Sequence, residues 1–180
     1  MGRDADADAA FTEFAAAHRS RLRSTAFLLC GDWERASDHV QEGLLRVYVA
    51  WPRLVRNGGE GAYARKAVVS AFLDASRKRS SKERPSAGHQ DKASNEDVAD
   101  AVADRAALMA ALARLPGRQR ACVVLRFFEE LDVRETAGVL GCSEGTVKSQ
   151  TSRALASLRA MFESASRDEL VVIGEKGLPW

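Results

Sequence analysis

The sequence predicts an all-α protein with two small helical domains joined by a flexible linker, the C-terminal domain being a helix-turn-helix. Apolar residues recur at helical spacing in nearly every periodic segment, and no strand–helix alternation occurs. A Ser/Ala/Asp-rich, weakly apolar stretch at residues 80–103 separates two such helical sets. A chain of 180 residues, 46% hydrophobic and 29% charged, is long enough for two small globular domains.

The first domain is expected over residues 11–84. Its first helix ends at a Gly31-Asp32 break, and its second helix carries an apolar stripe that Pro52 should end or bend. A glycine-containing loop at residues 56–61 precedes a third helix, expected from about residue 62 to 79. The apolar stripe of the second helix consists of Val40, Leu44, Val47 and Trp51.

Charge is distributed unevenly, although the formal net charge is only +2. Lysine and arginine dominate residues 65–84, whereas aspartate and glutamate dominate residues 85–104, which we expect to form a flexible acidic linker. A basic block beside an acidic linker predicts an anionic partner for the block, and nucleic acid fits best.

The second domain is expected over residues 105–164, followed by a tail at 165–180 with no strong pattern. Within it, Ala137, Gly141 and Val147 have the spacing of a helix-turn-helix. A small residue suits the helix crossing, a glycine the positive φ of the turn, and an aliphatic residue locks the second helix. Ser143 is a good N-cap, and Glu144 in the first turn favours the helix dipole.

The last helix has two different sides. On a helical wheel Val147, Ala154 and Leu158 fall inward, while small, hydroxylated and cationic residues fall outward. Small residues let a helix sit deep in a groove, serine hydroxyls donate or accept, and long cations reach phosphates or guanine edges. This pattern predicts a DNA-recognition helix, with an ordinary helical hairpin as the alternative.

Other classes of function have little support. No run of about 18 apolar residues predicts a membrane span, and the acidic N-terminus lacks the apolar core of a secretory signal, so we expect a cytoplasmic protein. No acid pair, metal-ligand spacing, nucleophile motif or phosphate loop predicts an enzyme, a metal site or a cofactor. We expect Cys30, Cys122 and Cys142 to be buried thiols; a redox or zinc role involving Cys30 and His39 is the alternative.

Four segments together resemble the extracytoplasmic-function (ECF) sigma factors of bacterial RNA polymerase. They occur in the family's order across residues 11–162, and the last is the most specific. The resemblance implies a non-enzymatic protein that binds core polymerase, directs it to a subset of promoters and helps to open the duplex. The segments are "GDWERASDHVQEGLLRVYVAW", "GAYARKAVVSAFLDASRKR", "LARLPGRQRACVVLRFFEEL" and "ETAGVLGCSEGTVKSQTSRALASLR".

The resemblance also implies partners for the "DHVQE" helix. This helix is similar to the family's main polymerase-docking surface, which contacts the clamp helices of the largest subunit; the flap of the second largest subunit is a further expected contact. Anti-sigma proteins commonly restrain the family, and the docking face would be their natural target. The candidate polymerase-binding residues are Asp38, Gln41, Glu42 and Arg46.

The third helix and its preceding loop resemble the element that reads the −10 motif. The family opens DNA by trapping a flipped base, which removes that base from the stack. The loop residues Arg56, Asn57, Gly58, Gly59 and Glu60 would form the base pocket. The motif-reading helix would contribute Ser70, Asp74, Arg77 and Lys78, with Tyr63 expected in the core.

The helix-turn-helix resembles the module that reads the −35 element. Residues expected to enter the major groove are Lys148, Ser149, Ser152 and Arg153. Residues expected to contact the DNA backbone are Arg118, Arg120, Arg134 and Thr146. Phe127 and Phe128 are expected to be core residues. The rival interpretation is a free-standing helix-turn-helix regulator, which would dimerise on palindromic half-sites.

Overall fold

A computed structural model describes residues 2–80 and 96–175, with side chains for 6–79 and 104–164. These residues are almost entirely helical and contain no strand, which confirms the all-α fold class. The first domain comprises α1 (Gly2–Cys30), α2 (Trp33–Asn57) and α3 (Glu60–Ser80). The second comprises α4 (Glu96–Arg114), α5 (Gly117–Val123), a π-helical turn (Val124–Phe128), α6 (Val133–Leu140) and α7 (Glu144–Glu175).

Several boundaries differ from the sequence-based prediction. Helix α1 begins well before residue 11, and α7 continues beyond residue 164. Pro52 does not end α2, which continues to Asn57. The helix also stays packed on the core at this point, because Trp51 and Leu54, on either side of Pro52, are buried. Helix α4 begins at Glu96, so the C-terminal part of the predicted linker is helical, while residues 85–95 lie outside the described residues.

The core of the first domain forms where α2 crosses α3. Leu29, Val47 and Val68 are fully buried there, one from each helix. Asp32 begins α2 by accepting a hydrogen bond from the Arg35 backbone N–H at 2.8 Å. The stripe predicted from sequence points inward, because Val40, Val47 and Trp51 are all buried.

The second domain is not separated from the first. Leu112, Val123 and Ala154 form a small core of their own, whereas Leu125 and its neighbours join the core of the first domain. Helices α5 and α6 and the π-helical turn pack against α1 and α3. The two domains therefore pack against each other in this conformation.

Candidate nucleic-acid and polymerase interfaces

The recognition helix presents the face that the helical wheel predicts. Val147 and Ala154 are fully buried and Leu158 is nearly so, which fixes α7 against the rest of the domain. The predicted major-groove residues lie on the other side and are exposed to solvent: Lys148, Ser149, Ser152 and Arg153. The helix therefore offers hydroxyl groups and two cations without an acidic side chain among them.

The turn before this helix is locally determined. Asp132 and Glu135 form a reciprocal capping box at the start of α6. Gly141 ends α6 in the left-handed conformation, with φ 60°, as the sequence predicted. Ser143 then accepts a hydrogen bond from the Thr146 backbone N–H at 3.1 Å, which confirms its role as an N-cap. The Thr146 hydroxyl is 2.9 Å from the Ser143 hydroxyl, so Thr146 helps to form this cap.

A shallow groove of about 350 Å³ runs beside the recognition helix. It brings Lys148 and Ser152 together with Arg126 and Arg159, two cations that the sequence-based assignment left out. Arg159 lies on the same helix face as Lys148 and Ser152, so the helical periodicity of the sequence could have identified it. Arg126 comes from the π-helical turn, and only the tertiary structure brings it to the groove.

The predicted backbone contacts do not share one surface. Arg118 and Arg134 are exposed. The Arg120 guanidinium instead donates to the Leu29 and Ala113 backbone carbonyls, both at 2.6 Å, and lies over the Phe72 ring. Because these contacts hold Arg120 between the domains, we leave it out of the proposed DNA surface.

The loop between α2 and α3 is shorter than the sequence suggests. Only Gly58 and Gly59 lie outside the helices, with φ values of 70° and 92°. Positive φ favours glycine, so this tight connection depends on both residues. Arg56 and Asn57 are exposed at the end of α2, and Glu60 is half-buried at the start of α3.

The predicted −10 residues of α3 lie on the helix face that points away from the second domain. Arg77 and Lys78 are exposed, and Ser70 and Asp74 are half-buried. Asp74 accepts hydrogen bonds from Arg77 and, at 3.4 Å, from Arg46. These bonds hold the pKa of the Asp74 carboxyl below its usual value, and the bond from Arg77 has the larger effect. The ion pairs fix the orientation of Asp74 on the α3 surface.

A second groove, of about 360 Å³, is lined by the C-terminal half of α2 and by Tyr63 of α3. Arg46, Arg53 and Arg56 line it together with Tyr63, and no acidic residue does. Tyr63 is half-buried: it packs against the core and also lines the groove. Arg53 was missed at the sequence level, although it lies three residues from Arg56 and seven from Arg46, on the same helix face.

The predicted polymerase-docking face lies on the solvent side of α2. Asp38, Gln41 and Glu42 are exposed, and Glu42 forms a salt bridge of 3.1 Å with the half-buried Arg46. Two apolar residues on the same face were missed: Leu45 is 56% exposed and Val49 is 82% exposed. Both are apolar although they lie outside the buried stripe of α2, and this mismatch is the sequence signal that could have identified them.

Phe127 and Phe128 are not core residues, contrary to the sequence-based expectation. They are 54% and 42% exposed, respectively. The π-helical turn is responsible: the Glu129 backbone N–H bonds to the Val124 carbonyl at 3.0 Å, five residues back. The extra residue in this turn directs both phenylalanines outward and the Glu129 carboxylate inward, where its side chain is only 6% exposed.

The buried titratable groups do not form a reactive site. Burial raises the pKa of the Cys30 thiol and raises that of Cys122 to about 11. Burial also lowers the pKa of His39, which packs edge-on against Phe72. No set of His, Cys, Asp or Glu side chains suited to holding a metal ion occurs among the described residues, and no helix in the same part of the chain could span a membrane.

Two family profiles match the two domains. The sigma-70 region 2 profile matches residues 14–82, and the sigma-70, region 4 profile matches residues 105–158. The RNA polymerase sigma-E factor of Streptomyces avermitilis is 37% identical over 158 residues, which cover 88% of each chain. The ECF RNA polymerase sigma factor SigM of Mycobacterium tuberculosis is 33% identical over 153 residues, covering 85% of this chain and 77% of SigM.

Solved structures share the fold. The sigma factor RpoE of Bartonella quintana, crystallised with the anti-sigma factor NepR, aligns with a TM-score of 0.64 at 22% identity, covering 85% of this chain and 96% of RpoE. CnrH in complex with the cytosolic domain of CnrY aligns with a TM-score of 0.63 at 20% identity, covering 87% and 90% of the two chains. By its two matched regions and its curated relatives, the chain belongs to the ECF sigma factors, which direct bacterial RNA polymerase in transcription initiation.

Proposed function

We propose that this sigma factor reads the −35 element with α7 and the −10 element with α3 and the adjoining loop, while α2 docks on the clamp helices of core polymerase. The observation that carries the proposal is the occurrence, in one chain, of two grooves lined by cations and an exposed face of α2 that is both acidic and apolar, with Val49 at the border between that face and the second groove. The role is that of an initiation factor and involves no catalysis by the chain itself.

At the −35 element, base readout is assigned to the exposed Lys148, Ser149, Ser152 and Arg153. The acid-free groove beside them supports a phosphate path along Arg126 and Arg159. Arg118 and Arg134 are exposed and available for further backbone contacts, whereas Thr146 acts through the cap that orients the start of α7. Phosphate contacts would set the register, and the four groove-entering side chains would provide sequence preference.

At the −10 element, a single strand is assigned to the groove lined by Arg53, Arg56 and Tyr63. Arg53 and Arg56 would hold backbone phosphates, and the half-buried Tyr63 ring would present a face on which a base can stack. A base flipped out of the duplex loses its stacking, and stacking on the Tyr63 ring in this groove would compensate for part of that loss. Asp74, Arg77 and Lys78 would then contact the neighbouring duplex.

The polymerase face combines two kinds of interaction. Val49 and Leu45 would supply apolar burial, and the carboxylates of Asp38 and Glu42 would fix orientation by pairing with cations of the clamp helices. In the second domain, the exposed Phe127 and Phe128 offer an apolar surface for the polymerase flap. An anti-sigma protein that blocks initiation would be expected on the α2 face.

Run-off transcription with core polymerase on a pool of genomic promoter fragments tests the proposal. A sigma factor should produce discrete transcripts that depend on both the chain and the core enzyme. The alternative, a free-standing regulator, predicts tight, dimeric binding of the purified chain to palindromic DNA without polymerase. Discrete transcripts together with weak DNA binding by the chain alone would exclude the regulator. Tight dimeric DNA binding by the chain alone, without discrete transcripts, would exclude the sigma proposal.

A further inference from the structure

One buried carboxylate joins the two domains. Glu129, in the second domain, accepts hydrogen bonds from Arg21 at 3.3 Å, from Arg65 at 3.0 Å and from the Thr25 hydroxyl. All three partners belong to the first domain, on α1 and α3. A buried carboxylate is stable only when it is paired and hydrogen-bonded, so this cluster favours the packed arrangement of the domains.

Further contacts surround the cluster. Arg120 of α5 reaches the Leu29 carbonyl of α1 at 2.6 Å and lies over the Phe72 ring of α3. Close by, Gly117 of α5 fits against Ser76 of α3: a Cβ at Gly117 would lie 3.5 Å from the Ser76 Cβ. The interface is therefore close-packed as well as charged.

This packed arrangement is too small to read a promoter. A compact chain of this length has a radius of gyration of about 16 Å and a diameter of roughly 40 Å. The −10 and −35 elements lie about 25 base pairs apart, which is roughly 85 Å of B-DNA at about 3.4 Å per base pair. Two DNA-reading surfaces held in one compact body cannot reach both elements, so the domains must separate for the proposed function.

We propose that Glu129 is an intramolecular latch that holds the free sigma factor in a closed, promoter-incompetent state, and that this latch opens in the polymerase-bound protein. The inference rests on the proposed function, because it assumes that both promoter elements are read. A charged latch suits such a switch, because Glu129, Arg21 and Arg65 are hydrated once the domains separate.

A disulfide provides the direct test. In a Ser76→Cys, Gly117→Cys variant, the Cβ separation of 3.5 Å lies within the range that a disulfide requires. We expect mild oxidation to cross-link most of the purified full-length chain and to reduce run-off transcription at least 10-fold, with recovery after addition of dithiothreitol. Each single-cysteine variant, oxidised in parallel, controls for Cys30, Cys122 and Cys142.

Either of two results would overturn the latch: a failure of the cross-link to form, or full transcription by the cross-linked chain. If the wild-type chain supports no run-off transcription with core polymerase, the proposed function is rejected. The cross-linking result does not depend on polymerase, so it would still report on the latch. The two failures are therefore distinguishable.

A second measurement does not rely on new cysteines. Small-angle X-ray scattering of full-length Glu129→Gln should give a radius of gyration at least a third larger than that of the wild type. Glu130→Gln is the matched control, because Glu130 is exposed and forms no salt bridge among the described residues. Helical circular dichroism identifies any loss of folding, and an unchanged radius in folded Glu129→Gln would contradict the latch.

Discussion

Gly43 of α2 lies directly against Val68 of α3. A Cβ placed on Gly43 would come within 2.6 Å of the Val68 Cγ2 atom and 3.1 Å of the Val68 backbone nitrogen. The helices of the first domain can approach this closely only because residue 43 has no side chain.

Gly43→Ala should therefore destabilise the protein, by about 1–3 kcal/mol, because the added methyl group forces α2 and α3 apart. Gly138→Ala is the matched control: it lies in α6, where an added Cβ meets no atom within 4 Å. That change should stabilise the protein by about 0.5–1 kcal/mol, through helix propensity alone. Urea unfolding of both variants measures the difference, and equal shifts would contradict the packing argument.

Val49→Glu should weaken binding to core polymerase by tenfold or more, because it places a charge in the centre of the proposed apolar contact. Val55→Glu is the control, since Val55 is also an exposed valine of α2, at 52%, but on another face of the helix. Fluorescence anisotropy of a labelled full-length chain titrated with core enzyme measures both affinities. Comparable losses in the two variants would remove α2 position 49 from the docking surface.

Arg153→Ala should weaken −35-dependent transcription by the equivalent of about 1–3 kcal/mol while core binding stays unchanged. The loss should disappear on a promoter whose −35 element is scrambled, because no base contact is then left to remove. Arg114→Ala, an exposed arginine of α4 outside the proposed surface, is the control for a simple change in net charge. An equal effect of Arg153→Ala on both promoters would argue against direct readout.

The buried His39 should make stability depend on pH. Burial, followed by the nearby Arg35, holds the pKa of His39 below its ordinary value of 6.5. Below pH 6.5 the unfolded chain therefore binds more protons than the folded chain, and stability falls as the pH drops toward the folded pKa. Above pH 6.5 this contribution is fully present.

Urea unfolding at pH 7.5 and 5.5 measures the effect, and His39→Gln should lose less stability between the two pH values than the wild type does. Carboxylates also titrate in acid, so the comparison between variants carries the information. An identical loss in both proteins would mean that His39 does not contribute.

Replacing all three cysteines should leave promoter-directed transcription within about twofold of the wild type. Burial raises the pKa of Cys30 and of Cys122, and such thiols are poor nucleophiles and poor metal ligands. Cys142 is half-buried rather than buried as expected, and it belongs to no group of side chains suited to a metal among the described residues. The pKa of Cys122, about 11, keeps that thiol protonated at neutral pH. Transcription by the variant with Cys30→Ser, Cys122→Ala and Cys142→Ser measures this. A collapse of activity with folding and polymerase binding intact would restore a redox role.

The sequence by itself determined the features that depend on local periodicity and local chemistry. The inward face of α7, the left-handed turn at Gly141 and the Ser143 cap all follow from residues within about one or two helical turns. For the same reason, the sequence correctly predicted that the Asp38 and Glu42 carboxylates of α2 and the candidate major-groove residues of α7 are exposed.

Tertiary structure alone decided the features that depend on contacts between distant residues. Glu129 meets Arg65 and Arg21, which are 64 and 108 residues away along the chain, and Arg120 meets Leu29, 91 residues away. The π-helical turn also rotated the following side chains, so that phenylalanines expected inside face solvent and a glutamate faces the core. A helical pattern specifies a face relative to its own axis, but which neighbour covers that face is fixed only when the two domains pack.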